Sequence, residues 1–556
     1  MIYTSGKATF TPFWVLAEQH SWRVKIWIIR LFFNPNPPRV TEKWVNDHPK
    51  GSNIHASPIG KNSKMTKTNP TTAAVIGAGI AGIATAIRLA NRGFAVSVFE
   101  ANHYPGGKLS DFTQEGYRFD AGPSLFTMPG LVDELFWLSG KDPAQHFEYI
   151  RLPETCRYFY EDGTRLTALS EPAKFAEAIE QATGEPAQHV LGFLADSQEK
   201  YELTADLFLN RSLHKATTYL NAKALKGYMN FRKLDVFRTM NEANTSRFRD
   251  PRVVQLFNRY ATYNGSDPYQ TPATMNIIPH LEYNIGAYFP KKGMFDITQS
   301  LVNLAEELGV KIHYRTPVQE IVTGEAKAVG IRVNGDLLRF DRVVSNMDVV
   351  NTYRRLLPDE KQPNKLLNQP KSSSALIFYW GIRHRFGELG LHNIFFSGDY
   401  RKEFAHLFKQ KTISDDPTVY INVTSKHKPD DAPEGCENWF VMINTPNNDG
   451  QDWDALIHRT RTQVLTKLSR LLGRDVASLI ACESILDPRS IESRTSSSQG
   501  ALYGNSSNNR YAAFLRHANF SSRIGNLYFC GGSVHPGGGI PLCLLSARIT
   551  ADLVKG

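Results

Sequence analysis

Between residues 73 and 100 the chain reads AAVIGAGIAGIATAIRLANRGFAVSVFE, a stretch compatible with very few folds. The apolar run 73–76 is short, contains β-branched residues and stops at glycine, so it reads as a buried strand. Gly77, Gly79 and Gly82 follow in the spacing G-x-G-x-x-G. In that spacing the first glycine permits a tight turn, the second lets backbone approach a pyrophosphate, and the third allows close helix–strand packing. A helix opening near Ile80 aims its unpaired N–H groups and positive dipole end at those phosphates. A second strand, Ala95–Phe99, ends at Glu100, 18 residues after Gly82, where a carboxylate can accept hydrogen bonds from ribose hydroxyls. Strand, loop, helix and acid together imply an adenine-dinucleotide site rather than a structural glycine turn. The carboxylate repels a ribose 2′-phosphate and so disfavours NADP.

A second glycine pair, Pro105-Gly106-Gly107-Lys108, and the segment GYRFDAGPS at 116–124 follow in register. Near the other end, the short apolar strand 526–530 precedes Gly531-Gly532-Ser533-Val534-His535-Pro536-Gly537-Gly538-Gly539-Ile540-Pro541 and then a run with helical apolar spacing. Proline in a helix's first turn sacrifices no hydrogen bond, so Pro541 reads as the opening of that helix.

These motifs resemble the glutathione-reductase-type flavoproteins, in the branch that holds amine oxidases, protoporphyrinogen oxidases and carotenoid desaturases. The resemblance covers residue 70 to the end. It implies FAD as cofactor, with Gly106, Gly107 and Lys108 lining the phosphates and flavin. It also implies that 121–124 runs beside the isoalloxazine ring, that Gly532 and Ile540 back the ring, and that Val318 bonds adenine through its backbone. A helix N-terminus aimed at the ring would stabilise negative charge there. His535 reads as a structural imidazole in the glycine loop, with a general-base role as the alternative. No catalytic residue is assigned.

The string SVHPGGGIPLCLLSA at 533–547 is similar to the C-terminal signature of bacterial carotenoid desaturases. Segments 259–282, 288–312 and 390–404 bring the chain nearest to the hydroxycarotenoid 3,4-desaturases, with phytoene desaturation as the alternative. A retinol-saturase-like or amine-oxidase-like flavoenzyme, or a non-catalytic lipid-binding relative of the prenyl-GTPase escort type, are the further rivals. The resemblance implies a lipophilic carotenoid substrate whose 1-hydroxyl wants a polar partner. Asn264, Ser266 and His392 lie in matching segments and read as structural. Oxygen or a membrane quinone would reoxidise the flavin.

The expected fold is α/β: a discontinuous Rossmann-like FAD-binding domain with a mixed α+β substrate domain carrying a helical membrane-facing subdomain. The FAD domain is expected from 70–145, 288–350 and 500–556, the substrate domain from 146–287 and 351–499. Within the former, 298–308 reads as a helix capped at Gly309, 311–314 as a strand, and 328–345 as two strands around Asn334-Gly335, a hairpin signal. The stretch from about 170 to 260 reads as helix-like, with no long Gly/Pro interruption between Phe193 and Phe237. Its part 214–238 interleaves basic residues with Tyr219, Tyr228, Phe231 and Phe237, which suits an anionic membrane surface or an ordinary solvated helix.

The longest apolar runs, such as 375–380, fall far short of the roughly 20 residues a spanning helix needs. A cytoplasmic protein peripherally attached to the inner face of the cell membrane is expected. The net charge of +10 is less informative than it looks: nine Lys/Arg against three acids fall in the first 64 residues. No nucleic-acid motif accompanies them, and no nucleic-acid partner is expected. Residues 1–69 read as an unstructured or misassigned extension, with translation starting at Met65. Five dispersed cysteines without C-x-x-C spacing imply neither structural disulfides nor a metal site.

Overall fold

The structure, a computed structural model, describes residues 70–219, 231–509 and 511–555. The extension 1–69, the start at Met65, and residues 220–230 of the basic-aromatic stretch lie outside the described residues.

The first strand, β1 (Thr72–Ile76), is followed by α1 (Ile80–Ala90), β2 (Ala95–Phe99), β3 (Lys311–His313), β4 (Arg342–Ser345), β5 (Leu527–Phe529) and α2 (Ile540–Leu553). The five strands form one sheet in the order β3-β2-β1-β4-β5, all parallel. Val75 sits opposite Val98 on one side and Val344 on the other. Parallel strands covered on both faces carry continuous apolar runs, and Ala73, Ala74, Val75, Val98, Val343 and Val344 are fully buried. Helices α1 and α2 pack together on one face, although 449 residues of sequence lie between Ala90 and Ile540.

The helix expected at 298–308 runs over Asp296–Glu307, and Gly309 takes a left-handed φ of 81° just beyond it. The hairpin at Asn334-Gly335 is present between Lys327–Val333 and Asp336–Arg339. The reading of 328–345 as two strands is corrected here. There are three, and the last, β4, leaves the hairpin to pair in parallel with β1. Its residues Val343, Val344 and Ser345 are buried, whereas Asp336–Arg339 is exposed throughout. Burial on both faces therefore draws β4 into the central sheet. Within the stretch read as helix-like, the described residues form the helices Pro172–Thr183, Ala187–Phe208, Met240–Arg247 and Pro251–Asn258, with single turns at Ala216–Tyr219 and Phe231–Leu234 between the second and third.

A second sheet has seven strands in the order Ile480–Leu486, Ser374–Ile382, Glu437–Thr445, Val419–Asn422, His392–Phe395, Glu154–Phe159 and Arg165–Leu169. A small sheet joins Phe126–Thr127, Ala287–Pro290 and Tyr149–Arg151. The seven-stranded sheet has two unlike faces. Phe378, Trp380, Trp439, Val441 and Ile421 bury against Val464, Leu465 and Leu468 of the helix Trp453–Leu472. The opposite face carries Ile377, Tyr379, Phe440 and Tyr420, packed against Phe112 and Phe119.

Leu468 is fully buried at the centre of that helix-on-sheet contact. Leu468→Ala is expected to cost about 2–5 kcal/mol of stability, as buried leucine truncations do. Denaturant unfolding of wild type and variant at equal flavin content measures it.

Candidate cofactor and substrate site

The glycine loop is tied down at both ends. The Gly77 N–H donates to the Phe99 carbonyl at 2.8 Å, and Gly79 caps α1 in extended geometry. A Cβ on Gly82 would lie 2.2 Å from the Gly77 carbonyl oxygen, so helix and loop touch backbone to backbone. The Gly106 N–H donates to the Ala78 carbonyl at 2.8 Å, which lays the second glycine pair alongside the first, with Gly107 at φ 59°.

Glu100, just beyond β2, turns its carboxylate back onto the glycine loop. The Ala78 N–H donates to its Oε2 at 2.7 Å, and the Asn102 N–H and side-chain amide donate to Oε1 at 2.8 and 3.0 Å. Each carboxylate oxygen has two acceptor positions, so capacity remains for ribose hydroxyls. The Glu100 carbonyl accepts from the Thr316 N–H at 2.8 Å, two residues before Val318 opens the strand Val318–Gly324. Glu100 and Val318 are thereby brought to one end of the sheet.

The C-terminal loop closes on the same place. Gly539 caps α2 with Pro541 in its first turn, and Ile540 is buried. The Gly532 carbonyl accepts from the Arg516 guanidinium at 3.3 Å, and the same guanidinium donates to the Tyr503 and Asn505 carbonyls. Burial lowers Arg516 to about 10. Asn346, just beyond β4, joins the two halves. Its N–H donates to the Ile76 carbonyl at 2.8 Å, and its side-chain amide donates to the Gly77 carbonyl at 3.4 Å. A Cβ on Gly79 would meet its Nδ2 at 2.6 Å, and one on Gly531 its Oδ1 at 2.8 Å. Neither Asn346 nor Arg516 has a local sequence signal; only the order of the strands brings them here.

Lys108 donates its ammonium to the Leu502 carbonyl at 3.0 Å and the Ala501 carbonyl at 3.4 Å. Burial pushes this lysine down, and Asp348 opposes that shift; burial pushes the Asp348 carboxyl up. Burial likewise pushes the Tyr503 phenol up to about 12 and the Cys543 thiol up to about 11. All four lie deep yet keep accessible surface, so they face an internal space rather than the outside. Gly122 presses the segment 121–124 onto the second glycine pair, since a Cβ there would lie 1.6 Å from the Lys108 carbonyl oxygen.

That segment is fastened to the seven-stranded sheet. Tyr379 donates its hydroxyl to the Ala121 carbonyl at 2.7 Å, and Ser124 Oγ and the Tyr420 hydroxyl bond at 2.7 Å. Tyr420 in turn bonds His392 Nδ1 at 2.8 Å. Burial lowers His392 to about 3, so the imidazole is neutral at physiological pH. The Ser266 hydroxyl accepts from the Ser507 N–H, and Asn264 is buried beside it. His535 Nε2 bonds the Arg211 carbonyl at 2.8 Å, and the His535 carbonyl accepts from Asn519 and Ser546. No helix of the described residues is long and apolar enough to cross a membrane.

A parallel sheet with bare glycine backbone at its carboxyl ends, an acid beyond β2 and a helix N-terminus aimed at the gap constitute a dinucleotide-binding fold. The flavin containing amine oxidoreductase family matches residues 80–555. A 1-hydroxycarotenoid 3,4-desaturase of Flavobacterium sp. (strain P99-3) is 51% identical over 482 residues, covering 87% of this chain and 98% of that protein. A phytoene desaturase of Fusarium fujikuroi is 31% identical over 507 residues, covering 86% and 88%. Among solved structures, an oxidoreductase from Methanosarcina mazei superposes with a TM-score of 0.57 at 14% identity, covering 87% and 100%. The chain belongs to the flavin containing amine oxidoreductases, in their carotenoid desaturase branch. It is an FAD-dependent oxidoreductase: the family brings the flavin, and the cradle is of the adenine-dinucleotide kind.

Gly82→Ala forces backbone apart at the loop. Overpacking of this kind costs about 1–3 kcal/mol, or about five- to 150-fold in FAD affinity, read from the flavin absorbance of purified protein titrated with FAD. His392 has an ordinary value of 6.5 and a folded value of about 3, so between the two the unfolded chain binds a proton that the folded chain refuses. Its stabilisation is complete above 6.5 and lost as pH falls toward 3. His392→Gln is expected to flatten the acid decline in stability by one proton, about 1.4 kcal/mol per unit of pH, in denaturant midpoints taken at pH 7 and 5.

Proposed function

We propose that this chain is a 1-hydroxycarotenoid 3,4-desaturase, which removes two hydrogens across one C–C bond of an acyclic hydroxylated polyene. The observation that carries the reading is the 51% identity to the Flavobacterium desaturase across 98% of that protein, against 31% to a phytoene desaturase. The apolar sheet face supports it. Ile377, Tyr379, Phe440, Met442 and Ile394 make up a face without charge, and Tyr379 ties it to the segment 121–124.

In this reading Gly77, Gly79 and Gly82 carry the FAD pyrophosphate on backbone, and Glu100 accepts from the ribose hydroxyls. Val318 meets adenine through its main chain. Gly106, Gly107 and Lys108 line the phosphates and flavin, and Gly532 and Ile540 back the ring. When bound, FAD supplies the two-electron oxidant. The protein's own share is positioning, because a polyene delocalises developing charge along its own length. The cofactor domain is assembled from 70–145, 288–350 and 500–556, and the substrate domain from 146–287 and 351–499. A C40 polyene dissolves only in lipid, so the enzyme works from the cytoplasm, peripherally bound at the inner face of the cell membrane. Oxygen or a membrane quinone takes the electrons.

Expression in a bacterial host that accumulates acyclic 1-hydroxycarotenoids tests the proposal by chromatography of the extracted pigments. A new 3,4-unsaturated hydroxylated product is expected. Conversion of phytoene with no effect on the hydroxylated pigment would replace this reading by phytoene desaturation.

A further inference from the structure

The inner face of the seven-stranded sheet can be read row by row from its register. One row runs Tyr379, Phe440, Asn422, His392, and its neighbour runs Ile377, Met442, Tyr420, Ile394, Tyr158. Most of this surface is apolar or aromatic. The exception is the corner at His392, where three polar side chains from adjacent strands meet.

Their hydrogen bonds fix the imidazole's proton. The Asn422 side-chain nitrogen lies 3.0 Å from the Leu391 carbonyl, which can only accept, so the amide presents its NH2 there. The same NH2 faces His392 Nδ1 at 3.2 Å. Nδ1 must therefore be an acceptor, and Tyr420 also bonds it, at 2.8 Å. In a neutral ring the proton then sits on Nε2. Burial first, then His427 and Arg259, lowers the pKa of this imidazole to about 3, so it stays neutral. His392 is 2% exposed, and its Nε2 has no hydrogen-bond partner among the described residues. A buried N–H without an acceptor is costly, and native structures keep such a group where a ligand or water completes it. The donor is rigid as well. Tyr420 ties it to Ser124, two residues from Gly122, which is pressed on the Lys108 carbonyl.

We infer that His392 Nε2–H donates to the oxygen of the substrate's terminal alcohol, and that Tyr420, Asn422 and Ser124 hold it in that orientation. The inference rests on the hydroxycarotenoid reading above and assigns it a specificity-determining residue. An apolar chain slides freely along an apolar wall; one directed hydrogen bond at its end fixes which C–C bond lies beside the cofactor. A neutral donor suits an uncharged alcohol oxygen. It also disfavours the chain that lacks one, because the N–H is then left unpaired.

The test uses the full-length, FAD-loaded protein with two substrates in detergent micelles: an acyclic 1-hydroxycarotenoid and its counterpart without the hydroxyl. The readout is the ratio of their kcat/KM values. Wild type is expected to favour the alcohol by at least about tenfold, as sites built to bond a hydroxyl do. His392→Phe should bring the ratio close to one. His392→Gln, which keeps an N–H donor near the same point, should retain part of it, and Tyr420→Phe should lower it by loosening the ring. A His392→Phe ratio equal to wild type, with flavin bound, overturns the inference and leaves the hydroxycarotenoid reading standing. A wild type indifferent to the hydroxyl overturns both. Should His392→Phe fail to bind flavin, unchanged ratios in both His392→Gln and Tyr420→Phe overturn the inference on their own.

Discussion

The close approach of backbone to backbone at the glycine loop is the contact on which the rest is built. With no Cβ at Gly82, α1 lies against the Gly77 carbonyl, and the loop leaves room for Asn346 to reach it from β4. Asn346 is also in contact range of Gly531, so a single amide spans loops separated by more than 400 residues. The apolar packing of α1 on α2, together with the strand pairings of β4 with β1 and β5, holds the two ends together. The polar contacts at Asn346 set their register. A side chain at Gly79 or Gly531 would collide with Asn346, and one at Gly82 with the Gly77 carbonyl.

From that junction the geometry is transmitted outward by short, directed bonds. Gly122 leans on the Lys108 carbonyl, Tyr379 takes hold of Ala121, and Tyr420 takes hold of Ser124. The cofactor cradle and the seven-stranded sheet thus share one segment. The sheet itself is made stiff from behind, where Trp380, Trp439 and Phe378 are packed under the helix Trp453–Leu472. Such an arrangement suits a reaction in which the protein supplies position more than charge.

The buried charges fit the same logic. Lys108 rests on two carbonyls, and Arg516 on three. Arg259 lies over the rings of Tyr158, Tyr260 and Tyr263, with Glu282 at 3.6 Å. Charges taken out of water need full sets of partners, and they gain orientation more than stability. Lys108 and Arg516 tie loops to one another, and Arg259 ties the turn Arg259–Asn264 to Tyr158 of the strand Glu154–Phe159.

What the amino-acid order determines on its own is whatever depends on neighbours in sequence. A β-branched run that stops at glycine, a third glycine on the helix, an acid closing the next strand and a proline opening the last helix are local requirements. Each is met where the residues stand, from β1 to Pro541. The Asn334-Gly335 turn is equally local. The departure of β4 from that hairpin is not, because Arg342–Ser345 pairs with β1, far away in sequence, in a sheet covered on both faces. Asn346, Arg516 and the Ser124–Tyr420–His392 chain belong wholly to tertiary structure. Their partners lie between 11 and 296 residues away, and an asparagine, an arginine or a histidine has no pattern until the strand order sets its neighbours. Even the proton position on His392 follows from a carbonyl on one strand edge and an amide on the next. Local propensity selects the elements; burial and strand register decide which polar atoms end up facing one another.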